Sequence, residues 1–179
     1  MELLIGEPLA LDLLNTRARD FDALDTPGSF QAWLARQGER LAAPPGPLPP
    51  DGLAAVRRLR GHVAAALEAV RAGDPPPPAA LDALNEAARA APPHRVLEWR
   101  GEGPHLRTER DGDPLAGLLA QLAEAAVDLL ADPAAGRVRG CEGPGCRMLF
   151  LPAHPRRRWC SPDLCGNRVR VARHYHRHK

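Results

Sequence analysis

The stretch that decides the fold runs from Cys141 to Arg168 and contains all four cysteines of the chain. It reads Cys141-Glu-Gly-Pro-Gly-Cys146, then thirteen residues, then Cys160-Ser-Pro-Asp-Leu-Cys165-Gly-Asn-Arg168. Two close cysteine pairs joined by a short connector bring four thiolates onto one ion, an arrangement that Zn²⁺ favours. A site closed by four sulfurs has no open coordination position, so the spacing predicts a structural zinc site rather than a catalytic one.

Other chemistries use similar ligands and stay open at this point. Four thiolates also bind [2Fe–2S] or [4Fe–4S] clusters. A histidine of the same region could replace one cysteine; the candidates are His154, His174, His176 and His178. Disulfides are the third alternative, but the first eight residues lack the basic and long apolar regions of a secretory signal, which predicts a reducing cytoplasmic environment.

The residues around the cysteines predict a treble-clef-like finger. Short strands at 137–139 and 148–151 bracket the first cysteine pair, and the glycines between Cys141 and Cys146 allow the backbone to wrap around a metal. Ser161 and Pro162 are typical of a helix start. A helix from 162 to about 176 would therefore carry the last cysteine in its first turn.

Charge is divided unevenly along the chain. Residues 1–136 carry 13 basic and 20 acidic side chains, whereas residues 137–179 carry 11 basic and 2 acidic ones. A basic segment attached to an acidic body predicts contact with a polyanion, with DNA favoured. The candidate nucleic-acid-binding residues are Arg157, Arg158, Arg168, Arg170, Arg173, His174 and Arg177.

Two other interpretations of the basic segment remain. One or two arginines could offset the formal charge of a tetrathiolate zinc site, or the segment could simply be solvated. Alternatively, the surface could bind RNA, an acidic protein or another acidic ligand. Arg168 in particular either braces the thiolates or reaches a phosphate.

Residues 1–136 predict a multihelical body, so the expected fold class is mainly α (α+β). Apolar residues at helical spacing and flanking prolines predict helices at 8–15, 29–42, 51–72, before Pro92 and at 113–132. Residues 94–111 change to a strand pattern around a glycine pair and predict a β-hairpin. Trp33 and Trp99 are expected in the core of this body.

A polar group follows the first helix at Asp12, Asn15, Thr16 and Arg17. If these residues line a pocket, Asp12, Asn15 and Arg17 would bind a small polar effector. The alternative is that Asn15 and Thr16 satisfy free carbonyl groups at the helix end while Asp12 pairs with an arginine. The body is also a candidate for homodimerisation.

Several function classes have no support in the sequence. It contains no glycine-rich phosphate loop, no nucleophile elbow and no His-Glu-x-x-His motif, so we do not expect an enzyme. It contains no run of about 18 apolar residues, so we expect no membrane partner. The prediction is a cytoplasmic binding protein.

The run Arg157-Arg158-Trp159-Cys160 and the signature Cys165-Gly166-Asn167-Arg168, with the leading cysteine pair and Phe150, resemble the CGNR zinc finger. The stretch Leu9 to Thr16 resembles the opening motif of the ABATE domain that usually precedes this finger. The resemblance implies a bacterial, stress-induced transcription regulator whose structural Zn²⁺ is held by Cys141, Cys146, Cys160 and Cys165. Residues 151–155 and Arg170 depart from the usual family pattern, where an Asp-Arg-like segment and a lysine are common.

Overall fold

The computed structural model describes residues 5–44 and 46–171, which form a helical body followed by a small finger. The helical body contains five α-helices, which are α1 (Leu9–Leu14), α2 (Pro27–Gln37), α3 (Gly52–Ala72), α4 (Pro78–Ala90) and α5 (Pro114–Ala131). A hairpin of β1 (Pro93–Arg100) and β2 (Gly103–Arg110) precedes α5, and the finger contains β3 (Arg139–Gly140) and β4 (Leu149–Phe150). The predicted fold class, mainly α with one hairpin before a zinc finger, is confirmed.

The helix ends follow local capping chemistry. Thr26 accepts a hydrogen bond from the Ser29 amide and its own amide is capped by the Ser29 hydroxyl, which fixes the start of α2. Asp113 accepts from the Ala116 amide at 2.9 Å and starts α5. The prediction that α2 reaches residue 42 is wrong: it ends at Gln37, where Gly38 (φ 59°) turns the chain into a short 3₁₀ segment.

The helices share one hydrophobic core. α5 packs on α4, α3 and α1, and α3 also packs on α4 and α1. The largest fully buried side chains in this cluster include Phe30, Trp33, Leu67, Leu84, Leu118 and Leu122. The expected burial of Trp33 is confirmed, and its ring stacks on Phe30 at 5.7 Å between centroids.

The β1–β2 hairpin is a two-stranded ribbon with an exposed apolar face. Leu97 pairs with Leu106 and Trp99 pairs with Pro104 across the antiparallel register, so these four side chains share one face. Trp99 is 74% exposed, and its expected place in the core is therefore wrong. The alternating pattern predicted the strands correctly, but pattern alone does not say whether another element covers a ribbon face.

Helix α5 combines length with an apolar composition. Among the described residues it is the one helix with the length and hydropathy to cross a membrane. One face of it, including Leu118, Leu122 and Ala126, is buried against the other helices of the body. A central core helix of a helical bundle has the same composition.

The finger packs directly on the body. After α5, a 3₁₀ segment (Pro133–Arg137) leads into β3, and Val138 is buried in the core of the body. Leu149 and Leu151, at either end of β4, pack against that same core. The segments that carry the metal-binding cysteines are therefore packed against the helical body.

Candidate metal centre

Two segments of the finger bring the four cysteines to one point. Cys141 follows β3 and Cys146 precedes β4, whereas Cys160 precedes a wide helical turn at Pro162–Gly166 and Cys165 lies within it. All four Sγ atoms lie within 4.8 Å of one another. A tetrahedral Zn²⁺ with Zn–S bonds of about 2.3 Å requires sulfurs about 3.8 Å apart. Cys146 and Cys160 already meet this spacing at 3.9 Å, so the group fits zinc with only small movements of the other thiols.

The wide turn explains how one short segment supplies two ligands. The Ser161 hydroxyl accepts a hydrogen bond from the Asp163 amide at 3.2 Å, as expected of a helix cap. The Gly166 amide then donates to the Ser161 carbonyl at 3.0 Å, which closes a five-residue turn of π type. Residues 167–171 continue as a helix.

Hydrogen-bond donors point at the sulfur atoms. The amides of Gly143 and Cys160 donate to Cys141 Sγ at 3.4 and 3.3 Å. The Arg168 guanidinium donates to Cys165 Sγ at 3.3 Å. Donors to sulfur favour the thiolate form, which is the form that binds a metal. Arg168 therefore braces a thiolate, the first of the two roles that the sequence left open for it.

The pKa values of the cysteines reflect their crowding. Burial raises the pKa of Cys146 to about 11, and the nearby thiols of Cys165 and Cys141 add to this rise. Burial and the neighbouring sulfurs raise the pKa of Cys160 further still. Burial also acts to raise the pKa of Cys141. Hydrogen bonds from the amides of Cys160 and Gly143 have the opposite effect, and the pKa of Cys141 is lowered as a result. Four thiolates at this distance need a cation to balance them.

Two glycines between the first cysteine pair are required by space. A Cβ at Gly143 would lie 3.1 Å from Cys165 Sγ and 3.4 Å from Cys141 Sγ. Gly145 has φ +69°, and a Cβ there would meet the Arg19 guanidinium at 2.6 Å. Gly143 therefore lets the backbone approach the sulfurs closely, whereas Gly145 is favoured by its positive φ, since the Arg19 side chain is flexible.

The finger has a small hydrophobic centre of its own. Phe150 is fully buried beside Met148, Cys160 and Cys165, and Ala18 of the body completes the group. Trp159 packs against it from the outside. The Arg157 guanidinium lies 4.4 Å above the Phe150 ring and covers the remaining face.

The opening motif of the chain binds the finger. The Asn15 side chain donates to the Leu149 carbonyl at 2.9 Å and accepts from the Leu149 amide at 2.8 Å, so it pairs with β4 as a neighbouring strand would. Glu7 accepts from the Leu151 amide at 2.9 Å and from Arg157 at 2.7 Å. We call these contacts of Glu7 and Asn15 the joint.

The predicted effector residues have different surroundings. Asp12 is fully buried, where burial raises its pKa; it accepts from the Gly6 and Glu7 amides and from Arg40 at 2.8 Å. The Asp12 carboxylate therefore makes its hydrogen bonds within the protein, and its pairing with Arg40 agrees with the second alternative given for it above. The Thr16 hydroxyl donates to a helix-end carbonyl, that of Leu13, at 2.6 Å. Arg17, in contrast, is exposed.

The predicted nucleic-acid residues also divide into groups. Arg157 contacts Glu7, the Cys160 carbonyl at 2.6 Å and the Phe150 ring, which gives it a bracing role, while its contact with phosphate stays a prediction. Arg158 forms an exposed ion pair with Glu142. Arg170 is exposed and has no ion pair or side-chain hydrogen bond within residues 5–44 and 46–171. Three further candidates lie outside the described residues: Arg173, His174 and Arg177.

Sequence reasoning missed the joint. The sequence predicts Asn15 either as an effector ligand or as a helix-end residue and gives no role to Glu7, because their partners lie 134 and 144 residues away. Local pattern contains no signal for a pairing at that separation. Two features of the sequence mark this segment: the polar group at residues 12–17 and the resemblance of residues 9–16 to a family motif.

Fold and site together define a zinc-finger protein: a helical body that carries a treble-clef-like module with a closed tetracysteine site. The family model described as "Putative stress-induced transcription regulator" (ABATE) matches residues 7–133, and the model for the CGNR zinc finger matches residues 137–178. The chain therefore belongs to the ABATE family and carries a CGNR zinc finger with structural zinc. A comparison with curated proteins gave no match.

Proposed function

We propose that this protein is a transcription regulator that contacts DNA through the basic surface of its zinc finger. The observation that carries this proposal is the charge division: residues 137–179 hold 11 basic and 2 acidic side chains beside an acidic body. A compact region of this charge attracts phosphate backbones and releases their counterions.

The structural zinc has a mechanical role in this proposal. It holds Cys165 and the helical residues after it at a fixed position against the Cys141–Cys146 turn, which orients the basic segment. Arg157 and Arg168 are engaged inside the finger. Among residues 137–171, the exposed arginines that form neither an ion pair nor a side-chain hydrogen bond are Arg147, Arg156 and Arg170. Arg156 and Arg170 are the two that we assign to phosphate contacts with DNA.

Salt-dependent binding of duplex DNA tests the proposal. Fluorescence anisotropy with the zinc-loaded chain should show affinity that falls steeply with salt, and Arg170→Glu should reduce the slope by about one per lost phosphate contact. Arg89→Glu makes the same charge change on an exposed position of α4 and is the matched control. Equal effects of both variants, or binding indifferent to salt, would contradict the proposal.

The same anisotropy assay distinguishes binding of duplex DNA from binding of RNA. A competition with duplex RNA of the same sequence compares the two polyanions directly, because A-form RNA presents a different groove geometry. We expect DNA to compete more strongly. A preference for RNA would assign the finger to the second interpretation of its basic surface.

A further inference from the structure

A cleft of about 280 Å³ lies between α1, α3 and the finger. Five arginines and one glutamate line it: Arg17, Arg57, Arg60, Arg71, Arg147 and Glu68. Four of the arginines belong to the body, whereas Arg147 follows directly after the zinc ligand Cys146. We call this region the arginine cleft.

Three of the arginines are held in place by the protein. Arg60 forms a paired contact with the carboxylate of Asp22 at 2.7 and 2.6 Å. Arg71 Nε donates to the Val138 carbonyl at 2.9 Å, and Arg57 donates to the Leu24 carbonyl. Of these three, only Arg60 has a carboxylate partner among the residues that the structure describes, so Arg57 and Arg71 are oriented there without being neutralised.

The other two arginines have spare donors. Within residues 5–44 and 46–171, Arg17 and Arg147 form no side-chain hydrogen bond or ion pair. Arg17 is close enough to Asp22 to lower its pKa, but both oxygens of that carboxylate are already bound by Arg60. Glu68 is the single acidic residue in the lining and forms no ion pair with its neighbours there. The arginine cleft therefore has a clear excess of positive charge.

We infer that the arginine cleft binds a small phosphate-bearing anion. Guanidinium groups form paired hydrogen bonds with phosphate oxygens, and several converge here from different segments. The size is close to the lower limit of small-ligand pockets. Leu14, Leu67 and Leu149 give the cleft apolar walls that would shield those contacts from water.

A bound anion would link the two parts of the chain. It would contact Arg147 of the finger and the arginines of the body together, next to the joint. Such a ligand would stabilise the docked position of the finger on the body. The fraction of molecules with a docked finger would then rise with the concentration of the ligand. This inference is independent of nucleic-acid binding by the finger.

Calorimetry with the zinc-loaded full chain and inorganic pyrophosphate tests the inference. We expect saturable binding with one site, weakened about tenfold by Arg17→Gln and by Arg147→Gln, since each removes a charge-assisted hydrogen bond. Neither side chain has a described intramolecular bond, so folding should be preserved. Glu68→Gln should tighten binding, because it removes the acidic residue of the cleft.

Arg58→Gln is the matched control, an exposed arginine of α3 outside the cleft. Equal weakening by this control, or no saturable binding of pyrophosphate, would overturn the inference and leave the DNA proposal intact. If Arg147→Gln weakens duplex DNA binding but not pyrophosphate binding, the cleft belongs to the nucleic-acid surface and the inference is wrong. Loss of DNA binding in Arg170→Glu with normal pyrophosphate binding would contradict the regulator proposal alone.

Discussion

The helical body and the finger are stabilised by different means. The body buries more than twenty hydrophobic residues in one cluster. The described finger cluster has five buried members, of which two are cysteine ligands and one, Ala18, belongs to the body. A region with Met148 and Phe150 as its main buried apolar side chains cannot fold by burial alone, so the metal must supply the difference.

Removal of zinc should produce the largest difference in stability between the finger and the helical body. Structural zinc sites contribute roughly 10–16 kcal/mol at neutral pH. A strong chelator should therefore unfold residues 141–171 while α2 to α5 keep their structure. Circular dichroism combined with hydrogen exchange resolved by residue measures both parts. Simultaneous loss of the body helices would show that the two regions are one cooperative unit.

Within the body, the Asp22–Arg60 pair should produce an acid-dependent stability that the finger does not share. Burial opposes ionisation of Asp22, but the hydrogen bonds from Arg60 and the Leu24 amide lower its pKa below 3.8. The pair therefore stabilises fully above pH 3.8 and is lost as the pH falls through the lower folded pKa. Asp22→Asn should cost about 3 kcal/mol at pH 7.

Thermal unfolding from pH 7 to pH 3 measures this effect. The difference between the natural chain and Asp22→Asn should shrink below about pH 4, and any acid release of zinc cancels because both proteins share it. Asp82→Asn, at an exposed position of α4, is the control and should change little. A constant difference across the pH range would refute the role of the ion pair.

A smaller effect is expected at the joint. Asn15→Ala removes two hydrogen bonds to Leu149 and should destabilise the docked finger by about 1–3 kcal/mol. The Leu149 amide should exchange faster with solvent while zinc remains bound. Asn85→Ala on the exposed face of α4 is the matched control. Unchanged exchange at Leu149 would mean that the finger is held by other contacts.

Sequence analysis could predict what depends on neighbouring residues. Periodicity, prolines and caps located the helices and the hairpin, and the spacing of the cysteines located the metal site. It could not predict which surfaces meet. The sequence predicts Trp99 in the core, because nothing local shows that its ribbon face is uncovered.

The basic residues illustrate the same limit. Arg157 and Arg170 are both arginines of a basic segment, and sequence treats them alike. In the folded chain Arg157 lies against Phe150 and Glu7, whereas Arg170 is exposed. The arginine cleft likewise combines residues from the end of α1, from α3 and from the finger, and Arg17 and Arg147 within it are 130 positions apart.

X-ray absorption spectroscopy at the zinc edge of the purified full chain tests the central claim most directly. The account predicts one zinc per chain with four sulfur neighbours at about 2.3 Å and no nitrogen neighbour. Iron in place of zinc, a histidine nitrogen in the first shell or fewer than four sulfurs would contradict it.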